Sequence, residues 1–175
     1  MSRLIIYKLC KFNRPKSTVY NYALVSNDFK SNFVTLIDCN AMSVVKGAFD
    51  GYENWIKAGE IAQSMVSREI RVEAKTLTSI LDEYFLVNKS TSIDLLVLDV
   101  EGYEIEVLKG FDFIKYSPKY LLIEMHSEER KVEIENIILP YKTYLAFPHS
   151  RLLLQFPELR LLQKPQHKSG FQFQY

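Results

Sequence analysis

Residues 93–98, Ile93-Asp94-Leu95-Leu96-Val97-Leu98, form a nearly unbroken apolar run that stops abruptly at Asp99-Val100-Glu101-Gly102. A short apolar run bounded by polar residues predicts a strand covered on both faces, as in a parallel sheet. Beyond the acids, Tyr103, Val107 and Phe111 recur every four residues, and Ile105 and Leu108 lie three apart. That spacing predicts a helix, with Gly110 in the place of its C-terminal cap. The unit is a buried strand, an acidic turn and a helix. In open α/β sheets ligands bind beyond the carboxyl ends of the strands, so Asp99 and Glu101 stand where chemistry is done. Acids also favour helix N-termini for purely structural reasons, and one D-x-E does not separate the two readings.

A second apolar run, 120–125, ends in Glu124 and His126. If the two strands are parallel neighbours joined by a right-handed crossover, Asp99, Glu101, Glu124 and His126 reach one sheet edge. Three carboxylates and an imidazole there suit deprotonation of a hydroxyl or binding of a divalent cation. No metal is assigned.

The remaining chain is read around this core. Residues 1–11 are too short a run to divide between helix and edge strand. Residues 18–25 and 33–38 predict strands, the second an antiparallel excursion at the sheet edge, and 68–74 alternate like a half-exposed strand. Thr76 or Thr78 is placed to cap a helix over 79–86. Residues 48–55 form an aromatic loop whose Trp55 reads first as packing and second as an acceptor contact. Residues 116–119 break the chain, and the acids of the 127–138 helix read as surface. A strand over 143–147 follows. One of the leucine runs 152–154 and 159–162 returns antiparallel, and 164–175 reads as a tail.

A formal net charge of +1 gives no basic stripe for nucleic acid or an anionic membrane. Cys10 and Cys39 make no disulfide framework, and no apolar stretch approaches membrane-spanning length. The expectation is one soluble, cytoplasmic domain over 1–175.

The run 94–104 with Val107-Leu108-Lys109-Gly110 closely resembles the FkbM family of S-adenosylmethionine-dependent methyltransferases, whose strand ends in D-V-E-G before a V-L-K-G helix. Residues 72–81 and 120–126 are similar to its flanking strands, so the resemblance covers roughly residues 19–147 (core 18–147). It implies a Rossmann-like class I fold, α/β, with a mainly parallel sheet and helices on both faces. It implies S-adenosylmethionine as cofactor, with adenine near Asn21, Tyr22 and Ala23 and a further cofactor role for Asp99. The acceptor is a hydroxyl of a small molecule or sugar, and Asp99 or His126 is the candidate base.

The family's first strand ends in a glycine-rich loop and its second in a ribose-binding acid. Neither pattern is present, and Gly47, Gly51 and Gly59 are too widely spaced to supply the loop. In the sheet order 3-2-1-4-5-7-6 the missing pair would leave two strands with open edges. The expectation is a C-terminal piece, a late start, or a chain that completes its sheet by rearrangement, an oligomer or a preceding segment. Such a chain should bind S-adenosylmethionine weakly or not at all. The alternative function is a non-catalytic binding or interaction module. A magnesium-dependent nuclease built on the D-x-E pair explains the V-L-K-G helix less well.

Overall fold

The structure, a computed structural model, describes residues 3–88, 92–124, 127–141, 144–146 and 151–156. In chain order it comprises α1 (Arg3–Asn13), β1 (Ala23–Leu24), β2 (Phe33–Asp38), β3 (Val44–Val45), α2 (Tyr52–Gln63), β4 (Arg68–Lys75) and α3 (Leu77–Asn88). These are followed by β5 (Ile93–Leu98), α4 (Glu104–Lys109), β6 (Pro118–Glu124), α5 (Glu128–Ile138), β7 (Tyr144–Ala146) and β8 (Arg151–Gln155). The described part of the short run 1–11, from Arg3 onward, is helix. The predicted strand over 18–25 shrinks to two residues, because only Ala23 and Leu24 find a ladder, on Ala74 and Lys75.

The strands form two four-stranded sheets, β1-β4-β2-β3 and β5-β6-β8-β7. β1 runs parallel to β4 and β5 parallel to β6, while β2 with β3, β2 with β4, β6 with β8 and β7 with β8 are antiparallel. The class is α/β as expected, but the sheet is not one mainly parallel layer. Excursions such as β2-β3, joined by a short turn, replace crossover helices and leave mixed pairing. β2 also lies inside its sheet, between β4 and β3, and not at its edge. The second sheet reproduces the 4-5-7-6 half of the expected order, with β8 as the returning antiparallel strand.

β5 and β6 are neighbours in the register Leu96 to Leu121 and Leu98 to Ile123. Leu98, Leu121, Ile123 and Leu154 share one face and are buried against Ile105, Val107 and Leu108 of α4 and Ile134 and Ile138 of α5. Each such side chain contributes about 1.5–3 kcal/mol. The opposite face differs from the prediction of a strand covered on both sides. Leu95 and Val97 are each 52% exposed, and Tyr120, opposite Leu95, is 42% exposed. α4 and α5 pack on the face of Leu98, and β5 pairs with β6 alone among the described residues, so it is an edge rather than a centre.

The two sheets are pinned by Gly110. A Cβ there would lie 2.1 Å from the Val25 carbonyl oxygen, so only glycine allows the approach. Gly110 is the C-cap of α4, as the spacing predicts; its φ of −96° is open to any residue, so proximity to Val25, not left-handed geometry, selects glycine. Thr76 caps α3 by accepting the Ser79 amide at 3.1 Å. Thr78 donates its hydroxyl to the Gly110 carbonyl at 3.0 Å and accepts the Asp112 amide at 2.8 Å. Pro118, read as a chain break, opens β6, where its missing N–H costs little. No helix among the described residues is long and apolar enough to cross a membrane.

Candidate active site

β5 delivers the chain into a turn at 99–103 that the Tyr103 amide closes on the Val100 carbonyl at 3.3 Å. Glu101 has φ +52° and Gly102 φ +89°, two left-handed residues in succession. For glutamate that conformation costs about 1–3 kcal/mol and persists only where its surroundings enforce it. Glu104 is the enforcer. Its side chain is 1% exposed, and Oε1 accepts the Val100 amide at 3.2 Å and the Gly102 amide at 3.1 Å. Charge-assisted bonds of this kind exceed neutral ones in strength. Arg130 of α5 then closes the arrangement from the other side, donating Nη2 to the Gly102 carbonyl and lying 3.7 Å from Glu104 Oε2.

The turn faces a cleft of about 620 Å³. Glu101 and Gly102 form one wall. Phe49 and Asp50, from the loop after β3, and Trp55, from the start of α2, form the second. Ser127, Glu129 and Arg130, at the start of α5, form the third. Phe49 is held close: a Cβ on Gly102 would meet its ring at 2.6 Å, so glycine is required there both for its φ and for this contact. Ser127 accepts the Arg130 amide at 3.3 Å as the N-cap of α5. The backbone N–H of Glu129 and the Ser127 hydroxyl hold the Glu129 carboxyl below the usual carboxylate range. Beside the turn, burial and then the Glu106 charge push the Tyr103 phenol up.

Among the described residues expected in the site, Glu101 alone lines this cleft. Asp99 is exposed at the end of β5, and Glu124 is the last residue of β6. The register Leu98 to Ile123 puts both at the same end of the sheet, outside the cleft lining. His126 lies outside the described residues. Asn21 is exposed, and Tyr22 has the Lys75 ammonium 4.4 Å above its ring. Ala23 is 8% exposed and paired to Ala74. None of these three lines the cleft.

Glu104 and Arg130 were not legible as site residues. An acid in a first helical turn reads as a dipole partner, and a lone arginine in an acid-rich helix reads as surface. The surface reading of α5 is thus corrected at its N-terminus. Trp55 packs on the Ile37, Cys39, Val44 and Ile56 cluster, as its first reading expects, and also lines the cleft.

The methyltransferase FkbM domain profile matches residues 5–168. This chain belongs to the FkbM methyltransferase family. No curated protein and no solved structure matches it. Methyltransferase families use S-adenosylmethionine in general; among the described residues, the sequence-predicted adenine contacts and the Glu101 cleft are not brought together. The adenine candidates lie just before β1 and at its first residue, outside the lining of the Glu101 cleft, and one face of the Tyr22 ring carries Lys75. The loop containing Gly47 and Gly51 has left-handed glycines with open space around them, but it follows the antiparallel strand β3, not a parallel one. Among the described residues no three metal-ligating side chains come together.

Proposed function

We propose that this FkbM methyltransferase domain binds its acceptor in the Glu101 cleft and serves S-adenosylmethionine-dependent transfer to a hydroxyl of a small molecule or sugar. The observation that carries the reading is the Glu104 clamp, which commits a buried carboxylate to holding Glu101 in a strained conformation facing a cavity. Strain of that kind persists where function requires it. An ionised Glu101 accepts the hydroxyl's hydrogen bond and orients its oxygen, and Glu129 stays ionised beside it. Asp99, Glu124 and His126 stand as further candidates at the end of the sheet. S-adenosylmethionine, when bound, supplies the electrophilic methyl group.

The test is transfer of labelled methyl from S-adenosylmethionine to a panel of sugars and small alcohols, with Glu101→Gln as comparison. Transfer lost in Glu101→Gln supports the assignment, and undiminished transfer contradicts it.

A second reading, a methyltransferase-like binding module, is favoured by the separation of Asn21, Tyr22 and Ala23 from the cleft. It predicts weak or no binding of S-adenosylmethionine by the chain alone. Each charge-assisted hydrogen bond not made forfeits roughly 1.5–3 kcal/mol, and about 1.4 kcal/mol is a factor of ten in affinity. Submicromolar binding by calorimetry would exclude this reading.

A further inference from the structure

Resting on the assignment of the Glu101 cleft as the acceptor site, we propose that Arg130 is a positioning residue for it. Arg130 acts through Gly102 and Glu104, and it makes the placement of Glu101 conditional on the docking of α5. Gly102 is gripped at both of its polar groups. Its amide donates to Glu104 Oε1 at 3.1 Å, and its carbonyl accepts from Arg130 Nη2. The two gripping side chains face each other, with Arg130 Nη2 lying 3.7 Å from Glu104 Oε2. Glu104 belongs to α4 and Arg130 to α5, so the turn that is left-handed at Glu101 and Gly102 is held from two helices at once.

Burial gives the contact its weight. The Glu104 side chain is 1% exposed and that of Arg130 21%, so water and salt screen the pair far less than a surface one. A buried carboxylate is tolerated with partners: two turn amides serve Oε1, and the guanidinium lies beside Oε2. Arginine suits the place because its planar fork carries donors in several directions, whereas a lysine ammonium keeps the charge with another reach. α5 itself is anchored away from the cleft, by Ile134 and Ile138 in the core beside Ile105, Val107 and Leu108. Its start is fixed where Ser127 accepts the Arg130 amide at 3.3 Å. Lifting the first turn of α5 withdraws the guanidinium from the Gly102 carbonyl and from Glu104 together.

Amide hydrogen exchange on the full chain without substrate tests this, in wild type, Arg130→Met, Glu104→Met and the double variant. Arg130→Met keeps the apolar stem and removes every donor. It should speed exchange at Val100 and Gly102 about ten-fold, as a buried group left without its partner implies, while Ile134 and Ile138 stay protected. The double variant should exchange at those two amides within about two-fold of Glu104→Met alone, because the pair acts as one unit. Arg130→Lys, which retains the charge, should fall between wild type and Arg130→Met.

Unchanged exchange at Val100 and Gly102 in Arg130→Met would overturn the proposal, as would effects that multiply in the double variant. Equal acceleration across the turn, Ile134 and Ile138 would overturn it too, since that is lost packing and not lost positioning. Should Arg130→Met fail to fold, Arg130→Lys decides: faster exchange confined to the turn supports the role, and wild-type exchange overturns it. Labelled-methyl transfer run alongside keeps the two readings apart. Arg130→Met should lower kcat about ten-fold with KM nearly unchanged, whereas a raised KM at unchanged kcat means that Arg130 holds the acceptor itself and overturns the positioning role. No transfer by the wild type, with the exchange result as expected, sinks the acceptor-site reading alone.

Discussion

In the β5-β6-β8-β7 sheet, Leu121, Ile123 and Leu154 are fully buried beneath α4 and α5, with Tyr116, Phe113 and Phe156 closing the sides. The β1-β4-β2-β3 sheet buries small or β-branched residues, Ala23, Val25, Val34 and Val72 in one cluster and Ile37 and Val44 in another. Its inner strands β2 and β4, with the residue after β3, carry ion pairs near the surface: Lys46 to Glu69 at 2.6 Å, and Arg68 to Asp38 through two guanidinium nitrogens. β5 and β6 share a similar one, Lys119 to Asp94 at 2.6 Å. Surface pairs of this type contribute about 0–1 kcal/mol each, far less than a buried leucine. The acidic turn grows from the end of β5 and is clamped by α5, both parts of the heavily packed sheet. The aromatic wall of the cleft comes from the lighter one, through the loop after β3 and α2. Tyr103 packs against the cores of both sheets, so the turn lies at their junction. The cleft therefore takes its strained turn from the heavily packed sheet and its rings from the more lightly packed one.

The sharpest way to break this contrast is a matched pair of truncations. Leu121→Ala should cost about 2–5 kcal/mol. Val72→Ala should cost about 1–2 kcal/mol, at roughly 0.8 kcal/mol per buried methylene plus a small cavity. Urea denaturation of the two variants gives the comparison, and equal losses would mean the sheets contribute alike.

The junction comes next. Gly110→Ala places a methyl where the Val25 carbonyl now sits, which should cost about 1–3 kcal/mol. Thermal unfolding should show the loss, and Ala23 and Leu24 should lose amide protection before Leu121 does.

The smallest effect concerns acid stability on the packed side. Lys115 and then Tyr116 hold the Asp82 carboxyl below its ordinary value. Its contribution is therefore complete above the unfolded value, near pH 4, and is lost as pH falls through the depressed folded value. The stability difference between wild type and Asp82→Asn should be constant at neutral pH and vanish in strong acid. A difference that grows on acidification would reverse the assignment.

How much of this was legible follows from what each residue's neighbours are. The run 93–98 and the α4 spacing are local patterns that appear where the sequence puts them, and the strand expected over 120–125 appears as β6, which starts earlier, at Pro118. The separation into two sheets was not local. It depends on whether β1 and β5 find partners on their far sides, which no window of sequence records. The same holds for the uncovered Leu95 and Val97, since an apolar run reports hydrophobicity but not what lies above it. In the proposed site, Glu101 was legible as a candidate because it lies in the turn just after a strand. Glu104 and Arg130 were missed because their role rests on a contact between residues 26 positions apart, made only when α5 packs on α4. Asp99 and Glu124 reach the same end of the sheet, as the parallel pairing implied, while the cleft opens beside them.

The central claim is that Glu104 holds the acidic turn in its left-handed form, and amide hydrogen exchange at Val100 and Gly102 tests it most directly. Glu104→Met keeps the side chain's length and apolar volume while removing both acceptor oxygens. In the wild type the two amides should be protected, because both donate to the buried Oε1. In Glu104→Met they should lose about ten-fold to a hundred-fold of that protection, the equivalent of the roughly 1–3 kcal/mol of an unsatisfied buried donor, while Leu121 and Ile123 in β6 remain protected. Unchanged exchange at Val100 and Gly102 in a folded variant would contradict the account, since the turn would then be held by something other than Glu104.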